Sequence, residues 1–124
     1  MTAHKISHVY IVKTIVTSEL IKTIADKNNI KCYDCYTGFK WIAAVIRDNE
    51  GKRKYIGGGE ESYGYLPADF VRDKDAVSSC ALMAEMTAWA KDNGMTIFEL
   101  LQKIYLEFAV EFFYFGLRFL CGFM

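Results

Sequence analysis

The sequence predicts an α/β fold, a three-layer α/β/α sandwich around a mostly parallel or mixed sheet. Three observations carry that expectation. Short β-branched and aromatic runs alternate along the chain with stretches of helical spacing. Asparagine and glycine stops separate the runs, so strand follows helix as in crossover units, which demand parallel strands covered on both faces. The 124 residues are 52% hydrophobic, enough for one compact domain with a modest core.

Each element has its own signal. "HVYIVKTIVTS" reads as the first strand. "SELIKTIADKNN" follows with Leu20, Ile21, Ile24 and Ala25 at helical spacing, and Asn28 and Asn29 make a natural stop. "IKCYDCY" is a second strand. "TGFKWIAAVIRDNEG" sets Phe39, Ile42, Val45 and Ile46 on one helical face and ends at Gly51. "KRKYIGG" is a third strand, running into the loop "GGEESYGYL". "DKDAVSSCALMAEMTAWAKDNG" reads as a long helix closed by Asn93 and Gly94. Thr96 and Glu99 form a capping box for a last helix, "TIFELLQKIYLEF". The predicted order is β-α-β-α-β-α-α, with no internal repeat. Residues 112–124, "FFYFGLRFLCGFM", are almost all apolar and have neither clean strand alternation nor clean helical spacing. They are read as a separate apolar tail after a domain of residues 1–111. The tail either packs on the sheet, covers an interface or is a foreign end.

Composition narrows function by exclusion. Fifteen basic residues balance fifteen acidic ones, which argues against a general nucleic-acid surface and against docking on an anionic membrane. The N-terminus carries no signal-peptide pattern, and no run of about 20 uncharged apolar residues appears. Cys32, Cys35, Cys80 and Cys121 are read as reduced thiols, because nothing indicates secretion. Cys32 and Cys35 both fall inside a predicted strand, not at a strand-to-helix turn where a helix N-terminus would stabilise a redox thiolate. No second cysteine pair completes a zinc site. His4 and His8 are read as surface residues.

Three stretches carry candidate chemistry. Gly57, Gly58 and Gly59 end a strand, where α/β sheets place ligands, and bare backbone can turn sharply or approach a bound molecule; a plain turn is the simpler reading. Gly59 and Gly64 have P-loop separation, but Tyr65 and Leu66 stand where Lys and Ser/Thr are required. Glu60 and Glu61 fail as a glycosidase pair. Such carboxylates aim at one bond from about 5 to 9 Å apart, whereas neighbours in an extended segment point opposite ways. One should face a ligand while the other supports the loop. A carboxylate accepts hydrogen bonds from two adjacent hydroxyls, so a sugar diol is a fitting target. The second stretch is "YTGFK". Thr37 and Gly38 sit at a helix start whose free N–H groups favour an anion, with Lys40 nearby; an ordinary cap beside a solvated lysine is the plain alternative. The third is "VRDKDAV", where Arg72 and Lys74 alternate with Asp73 and Asp75. Alone it reads as a solvated helix cap.

Together, "TGFKWI", "GGGEESYGYL" and "RDKDAVSS", with "EM" further along the helix, resemble the third domain of the α-D-phosphohexomutases, nearest the bacterial phosphoglucomutase/phosphomannomutase branch. The resemblance runs from about Val9 to Phe108. It implies that the loop at Glu60 is a sugar-binding loop, with Glu60 and Ser62 on the hydroxyls of carbons 3 and 4. Those hydroxyls exchange places when a bisphosphorylated hexose turns over between transfers at carbons 1 and 6, so one carboxylate and one hydroxyl serve both orientations. It further implies substrate contact at Thr37 and Gly38, phosphate contact at Lys74 and, more weakly, at Lys40. Glu61 matches a less constrained position.

The resemblance also implies what lies elsewhere. The family's phosphoserine, its Asp-rich Mg²⁺ loop and its Arg-Ser-Gly-Thr phosphate clamp belong to other domains. None has a counterpart in these 124 residues. The expected whole is a cytoplasmic mutase interconverting hexose 1-phosphate and hexose 6-phosphate. This chain is then its excised third domain, inactive alone, with no metal of its own and with hexose phosphate and the other domains as partners. The competing expectations are a free-standing, non-catalytic sugar-phosphate or protein-binding module, and an inactive fragment that self-associates through residues 112–124.

Overall fold

The structure, a computed structural model, describes residues 8–62 and 64–109. Strands β1 (Val9–Thr14), β2 (Lys31–Cys35), β3 (Lys54–Gly59) and β4 (Tyr65–Leu66) form one sheet in the order β2-β1-β3-β4. The first three are parallel, and β4 runs antiparallel to β3. Helices α1 (Glu19–Lys27) and α2 (Phe39–Asp48) are the crossovers. The chain continues through α3 (Ala76–Asp92), α4 (Ile97–Ile104) and a π-helical turn, Tyr105–Ala109. It divides into two compact units, Met1–Leu82 and Met83–Met124.

In the first unit, α2 lies against β1, β2 and β3, and α1 packs on β2. The chain steps from β1 to β2 through α1 and back across β1 to β3 through α2. The usual right-handed crossover then puts the two helices on opposite faces of the sheet. The core under α2 joins Phe39, Ile42 and Ile46 to Tyr10, Val12, Tyr55 and Leu66. Three of the four residues expected on the buried face of α2 are fully buried, and Val45 packs at the margin. Tyr10 meets Tyr33 and Tyr55 edge to face, with ring centroids 5.5 and 5.7 Å apart, a favoured aromatic geometry.

The element stops act as expected. Ser18 caps α1 through its hydroxyl, Asn28 closes it, and Asn29 takes a φ of 55°. Gly94, at φ 71°, follows α3. The capping box at α4 is complete: Thr96 N donates to Glu99 at 2.7 Å and Glu99 N to the Thr96 hydroxyl at 3.2 Å.

Two expectations need correction. β1 stops at Thr14, not Ser18, and Ile15 and Val16 are exposed in the turn that follows. β4 is an edge strand absent from the expected element order; it runs antiparallel to β3, which makes the sheet mixed, within the expected fold class. At the start of α2 the cap is Gly38, at φ 112° and without a side-chain hydrogen bond. In the second unit Ala90 is buried, while Met83, Met86 and Trp89 of α3 and Phe98 and Leu101 of α4 are exposed. The tail at 112–124 and His4 lie outside the described residues; His8 is exposed, as expected of a surface residue.

Candidate functional site

Parallel pairing brings the C-terminal ends of β1, β2 and β3 to one edge of the sheet. Thr14 pairs with Cys35, and Lys13 with Gly59. Four of the six expected site residues follow directly from that edge. Thr37 and Gly38 come just after β2, and Glu60 and Ser62 just after β3. Lys74 arrives from the segment between β4 and α3. That segment is tied down by Asp75 N donating to Tyr65 O at 3.2 Å, and the Lys74 ammonium lies 5.7 Å from the Phe39 ring at the start of α2. The Glu60 charge reaches across to β2, where burial first, then the Asp34 and Glu60 charges, push the Cys35 thiol pKa up. Burial raises Cys32 likewise. Cys32, Cys35 and Cys80 are free thiols.

The glycines prove to serve packing. A Cβ on Gly58 would stand 2.5 Å from the Val12 carbonyl oxygen and 2.8 Å from the Tyr55 hydroxyl. The Tyr65 ring lies across Gly57 and Gly59, with its hydroxyl 2.9 Å from where a Cβ on Gly57 would be. The Tyr55 hydroxyl donates to Leu66 O at 2.9 Å and pins β4 to β3; burial raises its pKa. Glu60 N donates to Gly64 O at 2.8 Å, closing the loop, and the Glu60 side chain folds over bare Gly64. The simpler reading, that bare backbone is needed for a turn and close strand contact, accounts for these glycines without a ligand.

The two glutamates part company. The Thr14 hydroxyl donates to Glu61 Oε2 at 2.8 Å, so Glu61 is bonded back to the end of β1. Glu60 is half-buried at the loop base, and Ser62 is exposed. At the third stretch, Asp75 accepts from Val77 N at 2.9 Å and caps α3, and hydrogen bonds from Ser78 and Val77 hold its carboxyl below the usual range. Arg72 pairs with Glu50 at 2.9 Å, and Lys74 with Asp73 at 3.4 Å. Lys40 sits over the Trp41 ring at 5.4 Å and lines a shallow cleft of about 380 Å³ with Trp41, Arg47 and Arg72. Neither Glu60 nor Ser62 lines that cleft. Among the described residues no group of three His, Cys, Asp or Glu side chains could hold a metal ion. No helix among them is long and apolar enough to cross a membrane.

Two neighbours at this edge were missed from the sequence. Lys13 is buried, yet its ammonium reaches Glu19 and Asp34, each at 2.8 Å. Burial alone would lower its pKa, but the hydrogen bonds to Asp34 and Glu19 outweigh burial and hold it above the ordinary lysine value. Thr14 is fully buried beside it. A signal for Lys13 existed: in "VYIVKT" it shares a strand face with Val9 and Ile11, and in a sheet covered on both faces it had to find carboxylates.

Residues 1–108 match the family described as phosphoglucomutase/phosphomannomutase, alpha/beta/alpha domain III. The chain belongs to that family. Over 101 residues it is 41% identical to a phosphoglucomutase of Staphylococcus aureus (strain N315) and 37% identical to one of Staphylococcus haemolyticus. Each match covers 82% of this chain and 18% of the relative. The chain thus spans under a fifth of the length of these relatives. Its fold matches a crystal structure assigned as a phosphomannomutase from Thermus thermophilus. The TM-score is 0.66 at 21% identity, over 78% of this chain and 21% of that one. The α/β architecture expected from strand–helix alternation is shared with that structure.

Proposed function

We propose that this domain, taken as residues 1–111, is the sugar-recognition part of a cytoplasmic phosphohexomutase, and that the chain alone does not turn over. In the whole enzyme, hexose 1-phosphate and hexose 6-phosphate interconvert through a bisphosphorylated sugar. Glu60 and Ser62 take the hydroxyls of carbons 3 and 4, Thr37 and Gly38 contact the substrate at the uncapped start of α2, and Lys74 adds positive charge for phosphate. Lys40 has the weakest part, given its place in the cleft. The observation that supports this reading most is the division of labour in the loop: Glu61 is engaged by Thr14, which leaves Glu60 as the carboxylate for a diol. Mg²⁺ belongs to another domain of the parent enzyme. It would offset charge on the transferring phosphoryl group there; among the described residues no group of three His, Cys, Asp or Glu side chains could hold a metal ion.

The test has two arms. Glucose 1-phosphate titrated into the ¹⁵N-labelled chain should shift amides at Thr37, Gly38, Glu60, Ser62 and Lys74. In the mutase containing this domain, Glu60→Gln should lower kcat/KM about 10- to 100-fold, because it weakens charge-assisted hydrogen bonds worth about 1.5–3 kcal/mol each. Glu61→Gln should do much less, and Ser62→Ala should fall between wild type and Glu60→Gln. Shifts confined to the Trp41 cleft, or equal losses at Glu60 and Glu61 in folded variants, would sink the assignment. So would turnover of glucose 1-phosphate by the isolated chain with Mg²⁺ and a hexose bisphosphate.

A further inference from the structure

The end of β1 holds more chemistry than a strand terminus needs. Thr14 is fully buried, and its hydroxyl touches both Glu61 Oε2 at 2.8 Å and the Thr17 hydroxyl at 2.7 Å. A hydroxyl has one proton to give. Thr14 gives it to the carboxylate, which has none to offer when ionised, so Thr17 must donate to Thr14. The direction of the chain is therefore fixed: Thr17 to Thr14 to Glu61. Thr17 is itself held in place, because its N–H donates to Thr14 O at 3.0 Å and its carbonyl accepts from the Lys13 ammonium at 3.5 Å. That ammonium also grips Glu19 at the start of α1 and Asp34 at the end of β2. A single exposed glutamate is thus fastened to a rigid junction of β1, β2 and α1.

We propose that Thr14, oriented by Thr17, is the positioning residue of the loop segment Glu60–Ser62 that follows β3, with Glu61 as its anchor. The hydroxyl fixes the loop at its second glutamate, which sets where Glu60, one residue earlier, presents its carboxylate. Glu60 bears none of this anchoring: its backbone closes the loop on Gly64 and its side chain covers that glycine. The ligand end of the proposal rests on the sugar-binding reading above; the brace itself does not.

The experiment separates the two. Hydrogen–deuterium exchange of amides 57–66 is measured on the full chain without ligand. Thr14→Val, which keeps the side-chain shape but removes the donor, should speed exchange there about three- to tenfold, the range a single hydrogen bond commands. Thr14→Ser should restore wild-type protection. Glu61→Ala should match Thr14→Val, and the double variant should be no worse than either, since both break one bond. Titration with glucose 1,6-bisphosphate then reads the consequence. Thr14→Val should weaken binding with its loop exchange, while Glu60→Gln should weaken binding with exchange unchanged. Unaltered exchange in Thr14→Val and Glu61→Ala, or additive effects in the double variant, overturns the brace. Should Thr14→Val fail to fold, the surface variant Glu61→Ala decides by the same criterion. Altered exchange in a chain that binds no hexose bisphosphate upholds the brace and refutes the sugar reading.

Discussion

A buried lysine is the residue on which this sheet edge turns. Taking an ammonium out of water costs several kcal/mol unless paired and hydrogen-bonded. Lys13 meets that demand with two carboxylates and the carbonyls of Thr14 and Thr17. Lys13→Met keeps most of the aliphatic stem and removes the charge. Asp34 and Glu19 are 39% and 48% exposed, so they would regain water on losing their partner. The cost should therefore fall below that of stranding a fully buried ion, at about 1–3 kcal/mol. The pH dependence has a definite sign. A folded-state pKa above the unfolded value contributes stability that is complete below the unfolded pKa, near 10.5, and is lost as pH rises through the folded one. The gap in melting temperature between wild type and Lys13→Met should stay flat from pH 7 to pH 10 and narrow only beyond. A gap that closes below pH 9 would show that the ion pairs are not what stabilises this edge.

At the scale of elements, the β3–β4 pair shows how glycine can be dictated by packing alone. Gly58 has no need of a positive φ; its constraint is the Val12 carbonyl on the central strand, which cannot yield. Gly58→Ala should therefore act as overpacking and cost about 1–3 kcal/mol, lowering Tm by about 4–12 °C for a chain of this size. An unchanged Tm would mean that β1 and β3 are less closely apposed than described. The same pair marks the limit of what the sequence discloses. α2 was legible because Phe39, Ile42 and Ile46 recur at the helical period, and the period reports which side faces a core. β4 was not, because two residues are too few to show alternation. The glutamates were half legible: that the two should have different roles was expected from the geometry of an extended segment, but which one is engaged depends on Thr14, 47 positions away. A contact of that range leaves no local pattern. The family resemblance favoured Glu60 by motif position, and the Thr14–Glu61 bond supports the same choice on independent grounds.

For the whole molecule, the telling feature is how much apolar surface remains uncovered. Phe98 and Leu106 are 74% and 70% exposed, and Trp89 on α3 is 55% exposed. Phe98 and Leu101 share one face of α4 by their three-residue spacing. Soluble monomers seldom leave contiguous apolar patches beyond a few hundred Å² open to water. In a relative roughly four and a half times as long, further domains are the natural cover, and the match covers only 18% of such relatives. Without them the surface should find itself. Residues 112–124 add Phe112, Phe113, Phe115, Phe119 and Phe123 with Arg118 as their single charge, so they should strengthen the tendency. Sedimentation velocity between about 5 and 100 µM should therefore show concentration-dependent association of the full chain. Residues 1–111 should associate less, yet not become strictly monomeric, because α4 keeps its exposed side chains. Adding Phe98→Glu and Leu101→Glu to residues 1–111 should yield a monomer, since a charge on that face is costly to bury in any self-contact. Circular dichroism must show the helices retained in the charged variant. A full chain that stays monomeric at 100 µM would show that the exposed face and tail are tolerated by water, and that neither acts as an interface.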